Sequence, residues 1–155
     1  MKKITASFAA AAVFLAAAIV VAKQDPQAPA AVQAGGGKVD IDLTKMNATM
    51  VYARVFDMMQ NPRGYAGKSV RMRGSYSTVF DPATSNRYHA CFISDAAACC
   101  AQGVEFSPTN CTVYPADFPS EGAPILVQGV FETYLEDGNE FSRVANAVLA
   151  FRRRK

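Results

Sequence analysis

The chain has no tryptophan and a single histidine, His89, among its 155 residues. Chemistry that needs two imidazoles is therefore excluded. No cysteine precedes Cys91, so there is no lipobox cysteine to carry an N-terminal lipid. Walker A, G-x-G-x-x-G, H-E-x-x-H and C-x-x-C patterns are all missing, which removes the usual phosphate cradle, dinucleotide turn, zinc-protease helix and low-pKa redox dithiol. A surplus of one charge sign is missing as well. The net charge of +3 leans on the terminal run Arg152, Arg153, Arg154 and Lys155. From Asn47 to Phe151 there are seven bases against ten acids, so the chain carries no globally basic nucleic-acid footprint. The basic tail is suited to anionic lipid or a polyanion, and equally to a solvated chain end.

What is present begins with an export pattern. Met1-Lys2-Lys3 forms a short basic start, and residues 4–22 carry no charge. Val20-Val21-Ala22 supplies the small residues of a signal-peptidase site. The Ala-rich run is near the lower limit for spanning a bilayer, which leaves two readings of residues 1–22: a cleaved signal peptide or a membrane anchor. Residues 23–46 are rich in Pro, Ala, Gln and Gly and read as a flexible linker. Within them Val39 and Ile41 alternate with Asp40 and Asp42, enough for a short added strand. Residues 47–155 then form one domain of ordinary size.

Asn47 is placed to cap a helix running to Gln60, with Val51, Val55 and Met58 on one stripe and Asn61-Pro62 as the stop. Met50, Met58 and Met59 read as core packing rather than a soft-metal site. An internal echo follows. Residues 67–76 and 122–131 match at a constant offset: a turn Gly, alternating apolar residues, a mid-strand Gly, then an aromatic. Period-two alternation predicts two long strands with one buried face, and the inner Gly permits sharp coiling. Further strands are expected at 87–94, 103–106 and 140–151, the last joined to the second long strand, which continues as 125–135, by a tight turn at Asp137-Gly138-Asn139. The sum is an all-β fold, a five-stranded OB-like, partly open barrel with one N-terminal helix.

Two stretches carry a resemblance. Asn61-Pro62-Arg63-Gly64-Tyr65-Ala66-Gly67-Lys68-Ser69-Val70-Arg71-Met72-Arg73-Gly74 resembles the start of the OB-like domain of many exported bacterial proteins. The segment from Asp95 through Cys99-Cys100-Ala101-Gln102-Gly103 to Phe106 resembles uncharacterised exported or lipoprotein-like OB-fold proteins of anaerobic bacteria. The resemblance covers roughly Met50 to Phe151 and implies a fold and a compartment. It implies no catalytic residue.

All four cysteines, Cys91, Cys99, Cys100 and Cys111, fall in one short stretch. In an exported chain this suits a disulfide framework. A vicinal Cys99–Cys100 bridge is disfavoured by ordinary geometry, which leaves Cys91–Cys99 with Cys100–Cys111, or Cys91–Cys100 with Cys99–Cys111. A metal site is the alternative: His89, Cys91, Cys99 and Cys100 offer soft ligands for zinc or copper. On an extended segment successive cysteines face opposite ways, one toward the core and one outward; against the metal, the spacing is not a C-x-x-C knuckle and adjacent cysteines rarely both reach one ion at good geometry. Reduced, buried or redox-active thiols are the third reading. For a ligand face, Arg71, Arg73, Tyr76, Arg87 and Tyr88, with Phe92, bring bases and aromatics to the barrel.

No complete catalytic apparatus emerges. The expected role is an exported, non-enzymatic binding or accessory module of the bacterial envelope, without a cofactor, acting on an envelope ligand or protein partner. Export argues against nucleic acid, and residues 4–22 are the part suited to a membrane. The alternative is a thiolate metal-binding or redox protein built on Cys91, Cys99, Cys100 and Cys111.

Overall fold

Leu43 sits in the hydrophobic core with 1 % of its surface exposed, inside the stretch whose composition reads as linker. The computed structural model describes residues 39–152, and the ordered unit begins at strand β1 (Ile41–Asp42) rather than at Asn47. β1 runs parallel to β2 (Ser69–Asp81), with Ile41 opposite Val70. Asp40 fastens this junction by accepting hydrogen bonds from the backbone N–H and the hydroxyl of Ser69. The signal or anchor expected at 1–22, the expected linker up to residue 38 and the end of the basic tail at 153–155 lie outside the described residues. Among the described residues no helix is long and apolar enough to cross a membrane.

Helix α1 spans Ala48–Gln60. Asn47 caps it by accepting the N–H of Met50 at 3.0 Å, and the chain leaves at Asn61-Pro62 as its spacing predicts. Val55 and Met58 are fully buried, while Met50 is exposed, so the methionines share no common face. Four further strands follow β2: β3 (Asn86–Ser94), β4 (Ala101–Pro108), β5 (Pro124–Glu136) and β6 (Asn139–Phe151). β2, β3 and β4 form an antiparallel meander. β4 pairs in parallel with β6, β6 returns antiparallel to β5, and β5 closes on β2. This strand order is that of an OB-like barrel, and the sheet closes fully.

The closing seam explains the sequence echo. Its two copies pair with each other, Val70 opposite Gly129 and Gly74 opposite Ile125. Equivalent ends are tied by equivalent bonds: Gly67 N–H donates to Phe131 C=O and Gly122 N–H to Tyr76 C=O, each at 2.8 Å. The inner glycines are required by close approach. A Cβ on Gly74 would lie 2.3 Å from the Phe92 carbonyl oxygen and 2.6 Å from Cys91 Sγ. A Cβ on Gly129 would lie 2.5 Å from the Ala145 carbonyl oxygen.

The two ends of the barrel are covered differently. α1 packs where β3 turns into β4 and reaches across to β6, with Tyr52 Oη near Gln102 and Met59 Sδ accepting from the Ser142 hydroxyl. The other end is covered by the long connection of residues 109–123, held by Asn110, whose side chain bonds both backbone groups of Leu149. The interior between them is filled by Met72, Tyr76, Cys91, Val104, Phe106, Val127, Phe131 and Val144.

Candidate functional site

Three groups of side chains bear on function, and strand parity decides the membership of each. On β3 the odd residues Arg87, His89, Cys91 and Ile93 turn toward the barrel interior or its rim, while Tyr88, Ala90 and Phe92 turn outward. On β2, Tyr76 is buried with 1 % exposure whereas Arg71 and Arg73 lie on the opposite face. The expected ligand face therefore divides. Tyr76 and Arg87 belong to the end of the barrel under the 109–123 connection, and Arg71, Arg73 and Tyr88 to its outside. Parity was legible in the sequence: 71 and 73 are odd, 76 is even. Arg71 is also largely packed away, with its Nε shielded from solvent and without a hydrogen-bond partner.

The first group surrounds the one histidine. His89 Nδ1 and Tyr76 Oη are hydrogen-bonded at 2.7 Å. The imidazole stacks on Phe118 at 4.2 Å between centroids, and Phe106 and Tyr114 complete its surroundings. Arg87 lies over the Tyr114 ring at 4.0 Å. Burial lowers the His89 pKa, with the Arg87 charge adding to the effect, and burial raises Tyr76 to about 12. Both groups are thus held neutral at pH 7. Among the described residues no carboxylate, serine or thiol hydrogen-bonds the ring, so neither a Ser/His/Asp nor a Cys–His nucleophile is assembled.

The second group is the cysteines, and here two expectations are corrected. No two of the four sulfurs stand at bonding distance, and Cys91 and Cys111 are buried while Cys99 and Cys100 are exposed. Cys91 faces the interior opposite Val104, three residues before Ser94, which closes the β3–β4 ladder opposite Ala101. At about 3.3 Å per residue its thiol is about 10 Å short of the turn that carries Cys99 and Cys100. A Cys91–Cys99 or Cys91–Cys100 bridge would have to pull an inward strand residue out of the core. The same geometry dissolves the expected His89, Cys91, Cys99 and Cys100 metal set, since His89 lies two residues farther along β3 from the turn and is engaged by Tyr76. Burial raises the Cys91 thiol to about 12 and leaves it an inert core residue.

What the turn does assemble is Asp95 with Cys99 and Cys100, whose ligand atoms all lie within 4.8 Å of one another. Asp95 was not singled out by the sequence, although it sits four residues before Cys99 at the start of the turn. The two sulfurs stand 3.8 Å apart on the same side. The assumption of an extended segment fails because residues 95–100 fold into a turn, with Ala98 at φ 55°.

The third group covers the outside of β3 and β4. The β5–β6 hairpin bends over this face and is tied to it by Tyr88 Oη donating to Glu136 and Tyr134 Oη donating to Glu105, both at 2.6 Å. Arg143 pairs with Glu132 at 2.8 Å and lies over the Tyr134 ring. Phe92 lies flat across Gly103, and Phe141 is half exposed beside Tyr134. Three carboxylates against one guanidinium make this an acidic, aromatic face. Burial raises the Glu105 pKa, and the Glu136 hydrogen bond raises that of Tyr88. Of the predicted ligand residues only Tyr88 and Phe92 belong here; Glu105, Glu132, Glu136 and Tyr134 became visible as partners once the hairpin's bend was known. A separate cleft of about 800 Å³ opens between residues 116–124 and Phe151–Arg152, and Glu121 and Arg152 are its ionisable lining groups.

The class these features define is a closed OB-like β-barrel with a helix across one end. No family model matches the chain, and no curated protein matches it.

Proposed function

We propose that the protein is a non-catalytic binding module of the bacterial envelope, exported by residues 1–22, and that its ligand is a neutral, hydroxyl-rich glycan. The observation that carries this reading is the face between the two hairpins. OB barrels take ligands on the corresponding strands, flanked by the same two loops. Here that face offers Tyr88, Tyr134, Phe92 and Phe141 beside Glu105, Glu132 and Glu136. Flat rings stack on sugar faces, and carboxylates accept hydrogen bonds from hydroxyls. The same carboxylates repel a phosphate or sulfate backbone, so a polyanion does not fit.

The test is a titration followed by amide chemical shifts. Neutral N-acetylglucosamine oligomers are expected to move resonances of β3, β4 and the β5–β6 hairpin, and Tyr88→Ala with Tyr134→Ala to abolish the response. Heparin at physiological ionic strength is expected to leave them in place. Binding of heparin at this face, or no response to the neutral oligomers, overturns the reading.

A further inference from the structure

We propose that the β3–β4 turn is a zinc site in which Asp95, Cys99 and Cys100 supply three ligands and leave a fourth position open. This goes beyond the glycan reading and stands on a different part of the molecule. Asp95 closes the turn through its own backbone, its N–H donating to the Cys100 carbonyl at 2.9 Å while its carbonyl accepts from Ala98 at 3.1 Å. Its carboxylate is oriented from inside the turn. Oδ1 accepts the N–H groups of Cys99 at 3.0 Å and Cys100 at 3.4 Å, and Oδ2 is left pointing at Cys99 Sγ, 3.1 Å away.

The distances match a tetrahedral metal. Two thiolates about 2.3 Å from one zinc at the tetrahedral angle stand about 3.8 Å apart, and a thiolate and a carboxylate oxygen about 3.5 Å apart. The two sulfurs are already 3.8 Å apart. The sulfur–oxygen separation must open by a few tenths of an ångström as the S–H hydrogen bond gives way to a shared ion. The donor set selects the metal. Two soft sulfurs with one hard oxygen suit borderline Zn²⁺, whereas Cu⁺ prefers sulfur throughout and Mg²⁺ or Ca²⁺ oxygen throughout. Binding displaces two thiol protons, so two thiolates and one carboxylate meet the ion and the site ends with one net negative charge. Cys99 and Cys100 are both exposed, so water or a donor from another molecule can take the fourth position.

The experiment uses the reduced full chain, titrated with Zn²⁺ against a chromophoric competitor and with Co²⁺ as a spectroscopic substitute. One ion per chain is expected, with sulfur-to-cobalt charge-transfer absorption and tetrahedral ligand-field bands. Cys99→Ser and Cys100→Ser are each expected to weaken binding by at least about tenfold and to reduce the charge-transfer band, and Asp95→Asn to weaken binding while keeping that band. His89→Ala and Cys111→Ser should change neither. Circular dichroism of each variant separates lost metal from lost fold. No metal uptake by the reduced chain at about 100-fold excess over a micromolar Kd overturns the proposal. So does uptake that survives loss of both Cys99 and Cys100.

Discussion

Eight positions of chain separate Cys91 from Cys99, and the two thiols live under opposite rules. Cys91 is a wall element of the barrel, with no exposed surface and its sulfur pressed toward Gly74. Cys99 and its neighbour Cys100 stand in water on a turn whose shape is held by one aspartate. The same residue type is a small hydrophobe in one place and a donor in the other. What differs is whether the backbone is a strand, which points alternate side chains inward, or a turn, which can point adjacent side chains the same way.

That contrast can be broken most forcibly on the wall. Gly74→Ala places a methyl against the Phe92 carbonyl and the Cys91 sulfur, and backbone cannot step aside as a flexible side chain can. A loss of about 3 kcal/mol is expected, read by urea denaturation. An unchanged midpoint would show that the wall yields. Cys91→Ser keeps the shape and adds a hydroxyl facing apolar neighbours. The expected cost is about 2 kcal/mol, and a smaller loss for Cys91→Ala would assign that cost to polarity rather than volume.

A third test separates the ends by pH. The folded His89 pKa lies below its unfolded value, so between the two the unfolded chain holds more protons than the folded one. Stability is therefore full above the unfolded value near 6.5, falls as pH drops through it, and levels off beneath the folded pKa. Thermal midpoints measured from pH 7.5 down to 5 should decline in the wild type and decline less in His89→Phe. The smallest effect belongs to the turn. Cys99→Ser and Cys100→Ser are each expected to change stability by no more than about 0.5 kcal/mol. Without metal, a thiol reagent should modify those two rapidly and reach Cys91 and Cys111 only on unfolding. Rapid modification of all four would erase the distinction.

Much of the barrel was readable because its signals are local and periodic. Asn47 before an i, i+4, i+7 stripe, Asn61-Pro62 after it, and the echoed glycines name a helix and two coiled strands by themselves. The opening residues were misread because Gly and Pro density at 23–46 outweighs one short alternation, although Leu43 proves to be core. The acidic, aromatic face proposed to bind ligand was less legible. Tyr88 and Glu136 are far apart in sequence, and nothing local reports that a hairpin will bend over the sheet and join them.

By itself, then, the sequence determined the helix, the five barrel strands, the barrel class and the cluster of cysteines in one short stretch, since each follows from spacing, parity or composition. The tertiary structure alone decided what the cysteines are. It placed Cys91 inside the wall and turned Cys99 and Cys100 toward Asp95, because closing a five-stranded barrel sets which face is the core and where the chain must reverse. It also decided the sign of the face over β3 and β4. A bent hairpin brings Glu132 and Glu136 beside Glu105, and charge complementarity depends on side chains meeting in space rather than on their order along the chain.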